Sequence, residues 1–220
     1  MTDKTTIKPR PNHRVGVFVD MQNLYHSAKH LYNSRINFAE LLKLAVQERQ
    51  VVRALVYVVK GGESPEEKAF FDALEKSGLE LKMKDLQVFA GGAKRADWDV
   101  GMAVDVISMA NQLDVVILAT GDGDFVPLVQ YLQNNGTIVE AISFGRSTSL
   151  KLKESVNNYT DLDEHKKVLL RIPGRRGGSD DGESPVPRRT RAPRIAKKTL
   201  AKAPAALSGM FMPSRVNHDE

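Results

Sequence analysis

Short continuous runs of apolar residues alternate along this chain with segments in which apolar residues recur at helical spacing. The first run, residues 15–19, is continuous in the way expected of a strand covered on both faces. It is followed by Leu24, Ala28 and Leu31, which share one face of a helix. The alternation continues to residue 142. Because strands joined by helices form right-handed crossovers, the pattern predicts an α/β fold, a three-layer α/β/α sandwich around a central, mainly parallel sheet.

Capping and turn residues mark where other predicted helices begin and end. Asn37 and Ser64 stand where two helices would begin, and Gly78 stands where the second of them would end. Further strands are expected over residues 51–59, 79–83, 115–119 and 137–142. Two more helices are indicated by apolar residues at helical spacing, which are Val100, Ala103, Val104 and Ile107 in one and Phe125, Leu128, Val129 and Leu132 in the other.

Charge divides the chain into a domain and a tail. Residues 171–220 carry 11 Lys and Arg against 5 Asp and Glu, so the net charge of +5 for the whole chain comes from this segment. The segment is rich in Gly, Pro and Arg and has little apolar periodicity, so burial cannot offset the entropy of ordering it. We therefore expect a flexible N-terminus over 1–13, one folded domain over 14–165 and a disordered basic tail over 166–220. The tail would either hold phosphates or solubilise the protein.

Composition excludes several classes of protein. The 220 residues include no cysteine, which removes disulfides, zinc–thiolate sites and cysteine nucleophiles. No apolar stretch approaches the roughly 18 residues that a membrane span needs, and the N-terminus lacks the apolar middle of a secretory signal. We expect an intracellular, cytoplasmic protein with no membrane contact. His26 and His30 share an i,i+4 spacing without the HExxH pattern, so a solvated helix face is the better interpretation of them.

Aspartates follow two of the predicted strands directly. Asp20 ends the run VGVFVD, and Asp122 and Asp124 follow VVILATG. Because parallel strands end at the same edge of a sheet, these carboxylates are expected in one crevice, where a proton or a cation must offset their mutual repulsion. Oxygen ligands without Cys or His favour Mg²⁺ or Mn²⁺ over softer metals. The acidic cluster therefore predicts metal-dependent phosphodiester chemistry.

Each of these residues also has a purely structural interpretation. Asp20 can cap the helix that follows it, and Asn23 can be a helix-surface residue instead of a group that steadies Asp20. In DWDV, one of Asp97 and Asp99 can cap a helix while the other faces solvent. A plain turn accounts less easily for TGDGDF, in which two glycines would let the backbone turn tightly while two carboxylates emerge side by side.

Asp105 is a separate case, because it lies two turns inside an otherwise apolar helix. An unpaired carboxylate there would be costly, so a partner is required. That partner is expected to be Lys94 or Arg95 in a structural role, or the metal cluster in a functional one. The sequence does not distinguish these two environments.

Three longer motifs occur in order along the domain: FVDMQN, KRADWDVGMAVD and ATGDGDFVPLVQYLQNNG. Together they resemble the NYN domains of the LabA-like type, a branch of the PIN-like nucleases, over about residues 14–163. The later segment SFGRSTSLKLKESVNNYTDLD is similar to the end of that domain. The resemblance implies a PIN-like fold and a ribonuclease that depends on Mg²⁺ or Mn²⁺ and acts on single-stranded or structured RNA. RNA is the expected partner, and a homo-oligomer is allowed.

The same resemblance implies roles for individual residues. The acidic metal site would be formed by Asp20, Asp99, Asp122 and Asp124. Asn23 corresponds to the supporting Asn of the family, and Asp105 corresponds to its second helix acid. Asp99 is preferred over Asp97 because its DV pair matches the family, which leaves Asp97 as a supporting residue.

Substrate phosphates are expected to contact basic and hydroxyl residues in two loops, because guanidinium, hydroxyl and backbone N–H groups suit that task. These residues are Lys94, Arg95, Ser143, Arg146 and Ser147. Loop solubility is their alternative interpretation. Trp98 and Phe125 can stack on bases, although the position of Phe125 on the apolar side of its helix favours the core.

Two other functions stay open from the sequence. A fold of this kind can serve as an RNA-binding or regulatory module with weak or no catalysis, although such a module would not need four repelling carboxylates. A phosphatase or phosphoacceptor domain fits less well, because the first strand ends in DMQN and not in a DxD pair. The GxGxxG and GK[ST] phosphate loops are absent, which disfavours nucleotide-dependent oxidoreductases.

Overall fold

A computed structural model describes most of the expected domain. The described residues are 8–60, 64–85, 87–88, 94–95 and 98–171, and at 87, 88, 94, 95 and 171 only the backbone is described. Residues 1–7, Asp97 and 172–220 lie outside these ranges, so most of the predicted tail does too. The chain divides into the units Met1–Arg176 and Gly177–Glu220, of which the second lies wholly outside the described residues. No described helix is long and apolar enough to cross a membrane.

Strands and helices alternate along the described chain. The strands are β1 (Arg14–Asp20), β2 (Ser34–Ile36), β3 (Gln50–Lys60), β4 (Glu80–Asp85), β5 (Gln87–Val88), β6 (Lys94–Arg95), β7 (Val115–Ala119), β8 (Ile138–Ser143), β9 (Asn158–Asp161) and β10 (Leu169–Arg171). The helices are α1 (Met21–Tyr32), α2 (Phe38–Val46), α3 (Pro65–Lys76), α4 (Asp99–Met109), α5 (Val126–Asn134) and α6 (Leu150–Ser155). Short 3-10 turns connect several of them.

The central sheet has six parallel strands in the order β4-β3-β1-β7-β8-β9. The chain leaves β1 toward β3 and β4 on one side and then returns across β1 to β7, β8 and β9 on the other. The strand order therefore reverses between β1 and β7, where Val19 pairs with Ala119. In sheets of this kind the connections leave the strands in opposite directions at the reversal, which opens a crevice at their carboxyl ends.

Helices cover both faces of this sheet. One core joins α1, α2 and α3 through Leu24, Leu41 and Leu74. The second core joins α4, α5 and α6 through Met102, Val129 and Leu152. Successive residues of β1, of β7 and of the middle of β3 serve opposite cores, and these strand segments are buried on both faces for this reason. The predicted three-layer α/β sandwich with a parallel sheet is confirmed.

Local sequence signals account for several helix ends. The Asn37 side chain accepts a hydrogen bond from the N–H of Glu40 at 3.3 Å and caps α2. The Ser64 hydroxyl accepts from the N–H of Glu67 at 3.1 Å and caps α3. Gly78 follows α3 with φ +88°, a conformation that favours glycine. These three predicted positions are confirmed.

The periphery of the fold differs from the predicted pattern. Strand β9 joins the central sheet although its sequence, NYTD, is half-buried and polar and gives no apolar signal. Residues 166–171, expected in the tail, form a 3-10 turn and β10, which pairs with β2. Helix α4 buries Met102 and Val106, whereas Val100 of the predicted apolar stripe is 75% exposed. Because α4 is apolar on most sides, residue spacing alone does not identify its buried face.

Candidate functional site

Asp20 and Asp122 meet at the crevice between β1 and β7, and Thr120 links them. The Thr120 hydroxyl donates to Oδ2 of Asp20 at 3.1 Å and accepts the N–H of Asp122 at 3.2 Å. Thr120 is fully buried, so this link is shielded from water. Thr120 is not among the residues predicted for the site. Its signal is its position between a buried strand and a pair of aspartates.

Both aspartates also cap the helical segments that follow them. Oδ1 of Asp20 accepts the N–H of Asn23 at 3.0 Å at the start of α1. Oδ1 of Asp122 accepts the N–H of Asp124 at 2.9 Å at the start of the 3-10 turn Gly123–Phe125. The capping interpretation of Asp20 is therefore correct. Capping engages one oxygen of each carboxylate and leaves acceptor capacity on both.

Asn23 ties α1 to the loop after β7. Its side-chain oxygen accepts the N–H of Gly121 at 2.9 Å, while its own N–H goes to Asp20. Asn23 therefore fixes the position of Asp20 relative to the loop that carries Asp122 and Asp124. This contact joins residues 98 positions apart in the chain.

The electrostatics of the crevice are unfavourable for two charged carboxylates. Burial raises the pKa of Asp20 above its usual range, and the negative charge of Asp122 raises it further. Hydrogen bonds from the N–H of Asn23 and the hydroxyl of Thr120 oppose this increase. A proton or a cation bound to the Asp20 carboxylate would lower the free-energy cost of burying its negative charge.

The other two predicted metal ligands are Asp124, two residues after Asp122, and Asp99 on α4. Asp124 is exposed, and Asp99 is half-buried in the first turn of α4, where Trp98 is the capping position. Within the described ranges, no three Asp, Glu or His side chains are arranged to hold a metal ion. The carboxylate oxygens of Asp20 and Asp122 are the kind of ligand that Mg²⁺ and Mn²⁺ prefer. These two residues form a pair, whereas the family resemblance implies a cluster of four carboxylates.

Asp105 has two described partners that were not predicted from the sequence. Its Oδ2 accepts the Tyr57 hydroxyl at 3.1 Å and lies 3.4 Å from Nζ of Lys82. Burial, with Asp105 close by, raises the pKa of Tyr57 and keeps its hydroxyl a donor. Tyr57 pairs with Asp20 in the register of β1 and β3, so Asp105 is linked through Tyr57 to the end of the sheet that carries Asp20. The side chains of Lys94 and Arg95 lie outside the described residues.

The two aromatic residues proposed for base stacking are both packed into the fold. Phe125 is 3% exposed and belongs to the core, as its position predicts. Trp98 donates its indole N–H to the carbonyl of Val58 at 2.9 Å and packs on Tyr57 with ring centroids 5.4 Å apart. These contacts hold the indole in place at the start of α4.

The glycines of TGDGDF are required for close packing and not for a special backbone conformation. Neither Gly121 nor Gly123 has a positive φ, which corrects the expectation of a glycine-dependent turn. A Cβ on Gly121 would lie 3.2 Å from Cα of Thr148, and one on Gly123 would lie 2.6 Å from Oγ of Ser149. The segment 144–149, here called the flanking loop, therefore packs directly against the loop 120–124, which carries Asp122 and Asp124.

Residues of the flanking loop differ in what they can offer a ligand. Ser143, at the end of β8, is 1% exposed and its hydroxyl is bonded to that of Thr148 at 2.8 Å, so it supports the loop from inside. Ser147 is exposed, and its hydroxyl donates to that of Ser27 on α1 at 2.9 Å. The Arg146 side chain is 65% exposed. Arg146 and Ser147 are thus the loop residues in a position to contact a substrate.

Gly145→Ala is expected to destabilise the protein by about 1–3 kcal/mol because it overpacks the base of the flanking loop. A Cβ at this position would clash with Oδ2 of Asp161. Asp161 is held there by the N–H groups of Gly145 and Asp163, at 2.8 and 2.9 Å. Denaturant unfolding measures the loss. An equal loss on adding Gly145→Ala to an Asp161→Ala variant would show that the clash is not its cause.

Comparison with known proteins supports the resemblance seen in the motifs. Residues 14–163 match the NYN domain family. The chain is 23% identical over 170 residues to the low amplitude and bright protein LabA of Synechococcus elongatus. This match covers 73% of this chain and 89% of that protein. A crystal structure of a protein of unknown function from Vibrio parahaemolyticus is 30% identical, with a TM-score of 0.68, and covers 74% of this chain and 100% of that one. The chain therefore belongs to the NYN domain family, as a LabA-like member.

Proposed function

We propose that this protein is a metal-dependent ribonuclease that hydrolyses RNA phosphodiester bonds at the crevice between β1 and β7. The observation that carries the proposal is the pair Asp20 and Asp122, held together by Thr120 at the point where the strand order reverses. A half-buried carboxylate with a raised pKa beside a second carboxylate is typical of functional sites. Membership of a nuclease-like family supports the same assignment.

Asp20 and Asp122 would hold Mg²⁺ or Mn²⁺, with Asp99 and Asp124 as further proposed ligands. The chemistry supplied by such an ion, when bound, is activation of a water molecule and stabilisation of the charge that develops on the phosphate. Asn23 and Thr120 orient the Asp20 carboxylate through hydrogen bonds of 3.0 and 3.1 Å.

Substrate contacts are proposed on both sides of the acidic pair. Arg146 and Ser147 would contact phosphates from the flanking loop, with Ser143 holding that loop from inside. Lys94 and Arg95 are proposed to contact phosphates from the other side. Asp97 and Asp105 are proposed to support the site from the segment that leads into α4 and from α4 itself. The basic tail is proposed as an additional phosphate contact.

Cleavage of labelled RNAs should require Mg²⁺ or Mn²⁺ and should stop in EDTA. Asp122→Asn should reduce the rate on the order of a thousandfold, because a bound metal contributes several kcal/mol to the transition state and each 1.36 kcal/mol is about tenfold. Asp72→Asn, which changes an exposed carboxylate on α3, is the matched control and should leave the rate unchanged.

A non-catalytic RNA-binding or regulatory module is the second candidate function. The observation that favours it is the lack of a three-carboxylate metal group within the described part of the chain. RNA binding without cleavage by the wild type, in either metal, would establish this second function in place of the first.

A further inference from the structure

The flanking loop carries a cation that is held in place by neighbouring side chains and still presented to solvent. We infer that Tyr32 and Asp163 position Arg146 to bind an RNA phosphate that flanks the cleaved bond. This inference rests on the proposed function, and it adds a defined subsite and two positioning residues to it. The ligand class is a single-stranded RNA that extends past the acidic pair.

Two contacts hold Arg146 in this position, and a third joins the two residues that make them. Its guanidinium carbon lies 5.4 Å from the centroid of the Tyr32 ring, a cation–π geometry. Its backbone N–H donates to Oδ2 of Asp163 at 3.1 Å. The Tyr32 hydroxyl donates to Oδ1 of the same carboxylate at 2.5 Å, so ring and carboxylate form one unit. A cation held in this way loses little side-chain entropy when it binds a ligand.

The guanidinium keeps its capacity to bind an anion. Its Nε lies 3.7 Å from Oδ2 of Asp163, which is too long for a hydrogen bond, so the carboxylate attracts the guanidinium without taking up its donors. The Arg146 side chain is 65% exposed, whereas that of Asp163 is 16% exposed. The planar fork of donors therefore faces solvent in a geometry suited to phosphate.

The position of Arg146 places the bound phosphate beside the acidic pair and not on it. Thr148 packs on Gly121, within 3.2 Å of where a Cβ would stand, and Gly121 precedes Asp122. Arg146 is two residues from Thr148, which is at most about 7 Å of chain. A neighbouring phosphate of the same strand is the ligand that this spacing fits.

Helix α1 extends this surface with a second pair of the same kind. Nζ of Lys29 lies 5.6 Å from the centroid of the Tyr25 ring. Tyr25, Lys29 and Tyr32 recur at i, i+4 and i+7, so they share one face of α1. Cations alternating with aromatic rings are the combination that binds single-stranded nucleic acid without sequence preference.

The test measures binding of a labelled single-stranded RNA by fluorescence anisotropy in EDTA, where proposed catalysis is off. Arg146→Ala should weaken binding roughly tenfold, as expected for a hydrogen-bonded charged contact. It should also lower the slope of log affinity against log salt by about 0.7, the value for one phosphate on a single strand. Arg14→Ala is the matched control, because Arg14 is also an exposed arginine paired with an aspartate, Asp114, but lies at the opposite edge of the sheet.

The subsite is located by replacing one phosphate at a time with a neutral methylphosphonate. At one position of the RNA, the methylphosphonate should weaken binding by the wild type and leave binding by Arg146→Ala unchanged. Tyr32→Phe and Asp163→Asn keep the Arg146 charge, so they should weaken binding less and leave the salt slope unchanged, as positioning residues would. Arg146→Lys should restore the slope but not the full affinity.

Two results separate this inference from the ribonuclease proposal. An unchanged affinity and salt slope in Arg146→Ala, or a methylphosphonate effect that is the same in wild type and variant, would overturn the Arg146 subsite whatever the cleavage assay shows. Absence of metal-dependent cleavage by the wild type would overturn the ribonuclease proposal even where the binding pattern is as expected.

Discussion

Asp20→Asn is expected to abolish RNA cleavage and, at the same time, to make the metal-free protein more stable. The loss of cleavage should be on the order of a thousandfold, since the carboxylate is proposed as a metal ligand worth several kcal/mol to the transition state. The gain in stability follows from burial, which raises the pKa of Asp20, and from the nearby charge of Asp122. Both destabilise the ionised carboxylate at neutral pH.

The amide of asparagine keeps one hydrogen bond of the site and reverses the other, so that Thr120 accepts where it donated before. Its Oδ1 can still accept the N–H of Asn23, and its Nδ2 can donate to the Thr120 hydroxyl oxygen, which has a second lone pair beside the one used by Asp122. The free energy of unfolding should therefore rise by about 0.5–2 kcal/mol, which is the usual size of a single stabilising substitution.

The pH dependence gives this prediction a sign that can be checked. Because the folded-state pKa of Asp20 is raised, its stabilising protonated form is fully present below the ordinary aspartate pKa and is lost as the pH rises through the folded value. The advantage of Asp20→Asn should therefore be small in acid and complete at pH 7. Denaturant unfolding at several pH values without metal measures it, with Asp72→Asn as the control. A variant less stable than wild type at pH 7 would contradict the electrostatic argument.

Glu140→Ala is expected to have the largest effect on stability of any single side-chain change proposed for this protein. Glu140 on β8 receives two hydrogen bonds from the Arg49 guanidinium, at 3.0 and 2.9 Å, and the Arg49 side chain is only 2% exposed. Removing the carboxylate would leave a buried cation with only the carbonyls of Ala45 and Val46. Breaking a buried pair in this way costs about 3–5 kcal/mol.

The chain contains a matched control for this prediction. Arg53 and Glu80 form the same kind of two-bonded arginine–glutamate pair, but their side chains are 43% and 50% exposed. Glu80→Ala should therefore cost no more than about 1 kcal/mol, because water replaces the lost partner. Thermal unfolding should show a fall of roughly 10 °C for Glu140→Ala and little change for Glu80→Ala. Similar losses in both variants would show that burial is not what makes the first pair important.

Much of the fold follows from local features of the sequence. The apolar runs that became β1 and β7 are buried throughout, and the capping residues Asn37 and Ser64 act as predicted. These signals are reliable because strand alternation and helix capping depend on residues only a few positions apart. The polar strand β9 escaped prediction because it lies at the sheet edge, where burial of an apolar face is not required.

Some features of the candidate site also follow from the sequence, and others only from the tertiary structure. The sequence by itself determined that Asp20 and Asp122 follow buried strands and therefore lie at one edge of the sheet. Only the tertiary structure decided that Thr120 joins them, across 100 residues of chain, and that Tyr57 and Lys82 contact Asp105. Such contacts depend on strand order and on which helix face is buried. Both are set by packing the whole core at once, and no local pattern of residues encodes them.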